Sequence, residues 1–252
     1  MGDDADFPAR VRASDGGPER QLADPCDDLR DHWEGLAVGT DFDRILDQNR
    51  NLDYLQYHAR DLEGFVEQID ASISYQAQDE RETRLRSNRR RDHQGVDVDT
   101  FGAFLRLQSP TPVGRLLYGA DYYHDWVSSF FSDYNPNGTF RSSRLQGPVA
   151  DDSGYDLVGA YLEDQIPLFD ERLELSLGGR YDHAAADVGK AQDPATGVPL
   201  SFSKAWDNVV GSGRALWHID EARHWNVFGG VSQGFRAPNL SDLSRFDIAR
   251  SG

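Results

Sequence analysis

Arg172-Leu173-Glu174-Leu175-Ser176-Leu177-Gly178-Gly179-Arg180-Tyr181-Asp182-His183 is the clearest strand pattern in the chain. On an extended chain Leu173, Leu175, Leu177, Gly179 and Tyr181 fall on one side. Glu174, Ser176, Gly178, Arg180 and Asp182 fall on the other. A repeat of two over this length predicts a β-strand with one apolar and one polar face. A helix would scatter the three leucines around its axis instead.

The same period recurs in both directions along the chain. In residues 64–78, Ile69, Ala71, Ile73, Tyr75 and Ala77 oppose Asp70, Ser72, Ser74, Gln76 and Gln78. In residues 96–107, Phe101, Ala103, Leu105 and Leu107 oppose Phe104, Arg106 and Gln108. In residues 114–127, Leu116, Tyr118, Ala120, Tyr122 and Trp126 oppose Arg115, Gly119, Asp121 and Asp125, and Leu117 and Tyr123 breach the polar side. Residues 155–166, 204–219 and 225–235 continue the series, and 51–59 is a shorter candidate. The total is about eight strands, several of about 11 to 15 residues. That exceeds the globular mean of about 5–6 and reaches the roughly 9–11 needed to cross a bilayer obliquely.

The connections read as alternately short and long. Arg60-Asp61 and residues 109–113, 167–171 and 220–223 are short, whereas 80–95, 128–153 and 184–203 are long. Short turns at one end and long loops at the other are what an outer-membrane barrel uses. Tyr75, Tyr122, Tyr123, Trp126, Tyr181, Trp217 and Trp225 gather near the strand ends, which suits interfacial aromatic girdles. Residues 1–48 read as a polar, poorly ordered or loop segment. Gly16-Gly17-Pro18 and Asp24-Pro25 break it, 27–33 is a short helical turn, and 41–50 is a further loop or a short helix.

Composition narrows the functional classes. The 252 residues carry 26 Lys+Arg against 43 Asp+Glu, a net charge of -17, so no nucleic-acid partner is expected. Mean hydropathy is -0.65, and no run approaches the roughly 20 apolar residues of a membrane helix. Strand crossings leave no such run, so low hydropathy is neutral between a membrane barrel and a soluble β protein. The single cysteine, Cys26, excludes an intrachain disulfide and a multi-cysteine zinc site. Met1-Gly2-Asp3-Asp4-Ala5-Asp6 has neither the basic nor the apolar region of a secretory signal.

The last strand candidate runs into Gly234-Phe235-Arg236-Ala237-Pro238-Asn239-Leu240-Ser241-Asp242-Leu243. Proline ends the ladder there, because it lacks an N–H and fixes its own φ. The polar 239–243 then reads as a turn. This string resembles a signature in the barrels of TonB-dependent outer-membrane receptors. The carrying residues are Gly234, Phe235, Arg236, Ala237, Pro238 and Asn239. Three further phrases are similar to the family: Gln146-Gly147-Pro148-Val149-Ala150-Asp151-Asp152, Ala160-Tyr161-Leu162-Glu163-Asp164-Gln165 and Leu177-Gly178-Gly179-Arg180-Tyr181-Asp182.

The resemblance covers residues 49–252. It implies an antiparallel transmembrane β-barrel of 22 strands, filled by an N-terminal plug. Such a barrel imports a scarce ligand such as an iron-siderophore, haem or cobalamin. The implied partners are outer-membrane lipid, the small-molecule ligand, and an inner-membrane energy-coupling complex reached through the plug region. The sequence shows no plug, coupling box or terminal aromatic strand, so the expectation is a barrel segment rather than a whole receptor. The alternative is a soluble antiparallel-β binding module of carbohydrate-binding or adhesin type.

Chemistry is sparse. His32, His58, His93, His124, His183, His218 and His224 show no metal-ligand spacing. There is no Gly-x-Ser-x-Gly elbow and no phosphate loop, so no catalytic residue, metal or cofactor is expected. Asp133, Tyr134, Asp151 and Asp152 form a candidate ligand loop, although calcium-loop spacing is missing. The arginines 81, 84, 86, 89, 90 and 91 read either as a solvated loop tip or as a phosphate- or lipopolysaccharide-binding cluster. Asn137-Gly138-Thr139 fits a glycosylation sequon and equally a turn. Arg106, Arg115 and Arg180, with Asp70, Asp121 and Asp182, fall on the polar faces and are expected to pair there or with a plug.

Overall fold

The computed structural model describes residues 41–193 and 196–244. They form a single antiparallel sheet and one short helix. The strands are β1 (Asp41–Ala59), β2 (Gln68–Arg86), β3 (Arg91–Thr111), β4 (Gly114–Tyr134), β5 (Phe140–Arg144), β6 (Asp151–Leu168), β7 (Leu173–Gln192), β8 (Pro199–His218) and β9 (Asn226–Ser232), followed by α1 (Leu240–Ser244). Spatial order follows chain order, β1-β2-β3-β4-β6-β7-β8-β9, with β5 paired beside the upper end of β4. Apart from β5, which pairs with β4 and not with β6, each strand pairs with its sequence neighbours, and β6 returns to pair with β4. Among the described residues, the outer edges of β1 and β9 have no partner strand.

The strands are longer than the apolar repeat predicts. β2, β3, β4, β7 and β8 run 19 to 21 residues. Residues 80–86 and 91–95, read as loop, continue β2 and β3 in unbroken register up to a hairpin at 87–90. Residues 41–50, read as loop or short helix, are the first half of β1. Residues 184–192 and 199–203 likewise extend β7 and β8. The reason is that the hydrogen-bond ladder belongs to the backbone, so charged side chains continue a strand wherever both faces meet water. The contrast in loop length is correspondingly smaller. Connections 60–67, 112–113, 169–172 and 219–225 lie at one end, and 87–90, 135–150 and 193–198 at the other. The helical turn expected at 27–33 lies outside the described residues.

Register sets the two faces. Leu55, Ile73, Ala103, Tyr122 and Val158 are directly opposed across five strands. Above and below them this face carries Tyr75, Phe101, Ala71, Leu105, Ala120, Ala160, Leu162, Gly179 and Tyr181. In β2 the stripe from Ile69 to Ala77 extends about 27 Å along the strand, roughly 21 Å along a bilayer normal at a tilt of about 40°. That approaches the roughly 25 Å apolar band of outer-membrane barrels. Asp164, level with Leu116 and Leu177, interrupts the stripe near one end. The small side chains of Ala71, Ala103 and Ala120 leave a shallow groove of about 460 Å³ on this face.

Aromatics bound the stripe. On one side Tyr122, His124 and Trp126 follow one another, with the His124 and Trp126 rings 4.3 Å apart. On the other, Trp217 contacts Phe169, 6.2 Å between ring centroids, and Trp225 is exposed in its turn. That turn is tied by Asp220, which accepts from the Trp225 amide (2.8 Å) and pairs with His224 (3.0 Å). The Trp225 amide holds the Asp220 carboxyl below the usual carboxylate range. Tyr75, Tyr122 and Tyr181 sit at the end of the stripe but mid-strand, because the strands outrun the stripe. Tyr123 is not in the girdle. It crosses the polar face over Gly102, where a Cβ would stand 2.9 Å from its ring. Tyr161 lies over Gly119 in the same way, its hydroxyl 2.8 Å from where a Cβ would be. Each pair is directly opposed in register. The glycine opens the space that the cross-strand aromatic fills.

Leu162 lies in the apolar stripe and is 57% exposed. Leu162→Arg is expected to lower folding stability in lipid vesicles by about 2–4 kcal/mol, whereas Ser212→Arg on the polar face changes it by no more than about 0.5 kcal/mol. Urea titration of vesicle-folded protein checks this. Equal effects at the two positions would remove the lipid-facing assignment.

Candidate functional site

The polar face carries the organised chemistry, in three tiers. At the 60–67 end, Asp70 is buried and fully paired. His58 and Arg60 reach Oδ1 at 2.7 and 2.5 Å, and Arg106 donates two hydrogen bonds to Oδ2 at 3.0 and 2.7 Å. At mid-height, Arg180 donates to both oxygens of Asp121 (2.8 and 2.9 Å) and to Asp182 (2.7 Å). The guanidinium occupies the space where a side chain at residue 159 would begin, which is why glycine stands there. The polar-face residues Arg106, Arg180, Asp70, Asp121 and Asp182 thus pair with one another.

The third tier is at the 87–90 end. Asp92 and Asp133 face each other across β3 and β4 and are 1% and 4% exposed. Arg84 and Arg86 pair with Asp92, and Arg90 and Arg141 pair with Asp133. Glu82 joins Arg44 (2.8 Å) and Arg84 (3.2 Å). The arginine-rich segment is therefore mostly strand and ion-paired, with only Arg89 and Arg90 in the hairpin turn and Arg89 exposed there. Arg84 and Arg86 follow the polar-face alternation of β2, while Arg81 points to the opposite face and pairs with Asp97 (2.6 Å).

A strap crosses this face. β9 ends at Ser232, opposite Ser212 in the middle of β8. One more backbone bond, Gln233 N to Gly211 O at 3.0 Å, precedes the departure of the chain. Gly234, Phe235, Arg236, Ala237 and Pro238 then run to β6, where the Tyr155 hydroxyl donates to the Pro238 carbonyl (3.2 Å). Asn239 caps α1. Its Oδ1 accepts from the Asp242 amide (2.8 Å), and Asp242 accepts from the Asn239 amide (3.1 Å), a reciprocal capping box. Arg236 donates to the same Asp242 carboxylate (2.7 Å). The turn expected over 239–243 is thus a short helix. Its sequence signal was Asn-x-x-Asp ahead of an apolar residue.

α1 presses Leu240 into the principal apolar cluster of the described residues, with Val127, Ala150, Ala186, Val188 and Ala191. Ser244 closes the contact. Its hydroxyl accepts from the Ala150 amide (2.9 Å), and its carbonyl accepts from Gln146 Nε2 (2.9 Å). Gln146 Oε1 in turn accepts from the Gln192 amide (2.8 Å), so the strap, the 145–150 connection and β7 lock together.

The candidate ligand loop does not assemble as one loop. Asp133 and Tyr134 end β4, and Asp151 and Asp152 begin β6. Asp133 is taken by arginines. Asp151 accepts from the Ser129 amide (2.9 Å) and, with Asp152, from Lys190 (3.3 and 3.4 Å), which raises the lysine pKa above its ordinary value. Asn137-Gly138 forms the turn, with Gly138 at φ 83°. Among the described residues, no group of three or more His, Cys, Asp or Glu side chains is placed to hold a metal ion.

Leu240→Ala removes the strap's anchor at a cost of about 2 kcal/mol. Because the strap is a local unit, trypsin cleavage after Arg236 is expected to accelerate by about 30-fold, while the strands stay protected. Limited proteolysis with mass mapping reads this. An unchanged rate at Arg236 would show that Leu240 does not hold the strap.

Comparison with known proteins places these features. No match was found among curated protein sequences. Among solved structures, the copper transporter OprC is similar, with a TM-score of 0.64 at 18% sequence identity. The alignment covers 79% of this chain and 34% of that one, so the chain spans about a third of its length. At this identity the likeness concerns the fold. The family model described as TonB dependent receptor-like, beta-barrel, matches residues 2–251. With a polar-face strap built from the Gly-Phe-Arg-Ala-Pro-Asn string, and a match over nearly its whole length, the chain belongs to the TonB-dependent receptor β-barrel family.

Proposed function

We propose that the chain forms part of the wall of an outer-membrane receptor that imports a scarce ligand, such as an iron-siderophore, haem or cobalamin. The single observation that carries this reading is the register-aligned apolar stripe, which approaches the height of a barrel's apolar band and is backed by a polar face. Residues of the 49–252 segment, together with 41–48 in β1, supply wall strands. The stripe meets outer-membrane lipid and the polar face lines the lumen. The 87–90 end is the extracellular mouth, and the 60–67 end is periplasmic. The free edges of β1 and β9 support a larger barrel, because unpaired backbone in hydrocarbon costs several kcal/mol per group. Further strands and a plug complete it in this reading, and the plug region reaches the energy-coupling complex. The function is binding and gated passage, with no chemistry on the ligand. Copper joins the ligand classes to be tested, because the solved neighbour is named a copper transporter.

The test is bilayer insertion followed by uptake. The full chain should require detergent or lipid for monodispersity and resist protease when folded in vesicles. Deleting its reading frame should abolish accumulation of one ligand in a panel of iron chelates, haem, cobalamin and copper. A chain that stays monodisperse without detergent would instead be a soluble antiparallel-β binding module.

A further inference from the structure

We propose that the arginine tier on the polar face at the 87–90 end is a binding site for a polyanion, a solute presenting two or more carboxylate or phosphate groups. Its placement at a lumen mouth rests on the receptor reading above; its chemistry rests on the cluster alone.

Five guanidiniums, Arg44, Arg84, Arg86, Arg90 and Arg141, surround three carboxylates, Glu82, Asp92 and Asp133. Asp41, opposite Arg86 in register, adds a fourth carboxylate that acts on Arg44, so the tier has one positive charge in excess, in a chain whose net charge is -17. The layering is equally uneven. The Glu82, Asp92 and Asp133 side chains are 1–11% exposed, whereas the arginine side chains are 25–65% exposed. The anions form the floor and a solute meets guanidinium. The floor holds the forks in place before any ligand arrives, which lowers the entropy lost on binding.

The network is also unfinished. The arginines crowd onto Oδ2 of each aspartate, and Oδ1 of both Asp92 and Asp133 is buried without a hydrogen-bond partner. Nε of Arg84 and of Arg90 is buried and unpartnered as well. Arg84 Nε lies 3.2 Å from Glu82 Oε1, but hydrogen-bond geometry is missing there. The Asp70 tier is different, because both of its carboxylate oxygens are taken. The mid-height tier sets one arginine against two aspartates and so has no cation to offer. Each guanidinium carries five N–H donors in a planar fork that matches carboxylate and phosphate oxygens. The net positive charge disfavours a cation at the free Oδ1 atoms, which leaves them to water.

Citrate and tripolyphosphate are the probes, with acetate and magnesium as controls, titrated calorimetrically into the full chain in detergent micelles. Saturable binding of both polyanions, weakening as salt rises, is expected, with neither control binding. Arg141→Gln combined with Asp133→Asn removes one charge of each sign, so no buried carboxylate loses its only partner. This variant is expected to bind roughly tenfold more weakly. Arg86→Lys keeps the charge but loses the fork, and weakens binding severalfold. Arg81→Gln, on the apolar-face side, leaves it unchanged. Absent saturable binding, or equal affinity in all four proteins, overturns the proposal. Vesicle insertion, read separately by protease protection, keeps the two readings apart. An inserted chain that binds neither polyanion loses only this site. A chain that binds them but is monodisperse without detergent keeps the site and loses the receptor function.

Discussion

Backbone hydrogen bonding governs how this sheet is built. A chain that faces hydrocarbon on one side has no water there for its N–H and C=O groups, so each strand must be paired along its length. The hairpin order meets that demand locally, and register stays continuous across β2, β3 and β4 over their whole lengths. Once the ladder is satisfied, side chains are free to differ completely between the two faces. That freedom accounts for a sheet with leucine, isoleucine and tyrosine on one surface and paired arginine and aspartate on the other. It also accounts for a mean hydropathy as low as -0.65 in a chain of this family.

The polar face is not uniform. Its lower two tiers are closed, with every carboxylate oxygen of Asp70 and Asp121 engaged. The uppermost tier is open and cationic. The strap lies in the same upper half, over Val127, Ala186 and Val188. It leaves β8 after the Gln233–Gly211 bond, and Pro238, which has no donor for a ladder, and the capping box at Asn239 then turn the chain into a helix. The sheet therefore gives up part of one strand to place the strap on its polar face.

Glycine has a specific task where the polar face is most crowded. Opposite Tyr123 and Tyr161, the direct cross-strand partner is glycine, and the ring fills the missing side chain's place. This explains why Tyr123 can breach the polar side of β4 without breaking the pattern. A ring needs a vacancy across the ladder, and the periodicity of its own strand does not reveal one.

Strand class, the two faces and the family motif can all be read from the residues in order. A period of two is a property of the chain alone, and stretches such as Leu173 to Tyr181 leave no other reading. The sequence also placed Arg106, Arg115 and Arg180 with Asp70, Asp121 and Asp182 on the polar faces, because polar-face position follows from parity, but did not show which of them pair. Strand ends were not legible, since residues such as Arg84, Arg86 and Asp92 pair as readily as apolar ones and look like a loop until a partner strand is present. The strap was legible only in part: Pro238 showed that the strand could not continue, but the departure after Gln233 and the destination depended on Tyr155, Gln146 and Ala150, 83 to 98 residues away in sequence. The tertiary structure alone decided that four arginines dispersed over β2, the hairpin and β5 converge on Asp92 and Asp133, because cross-strand register rather than spacing along the chain brings them together.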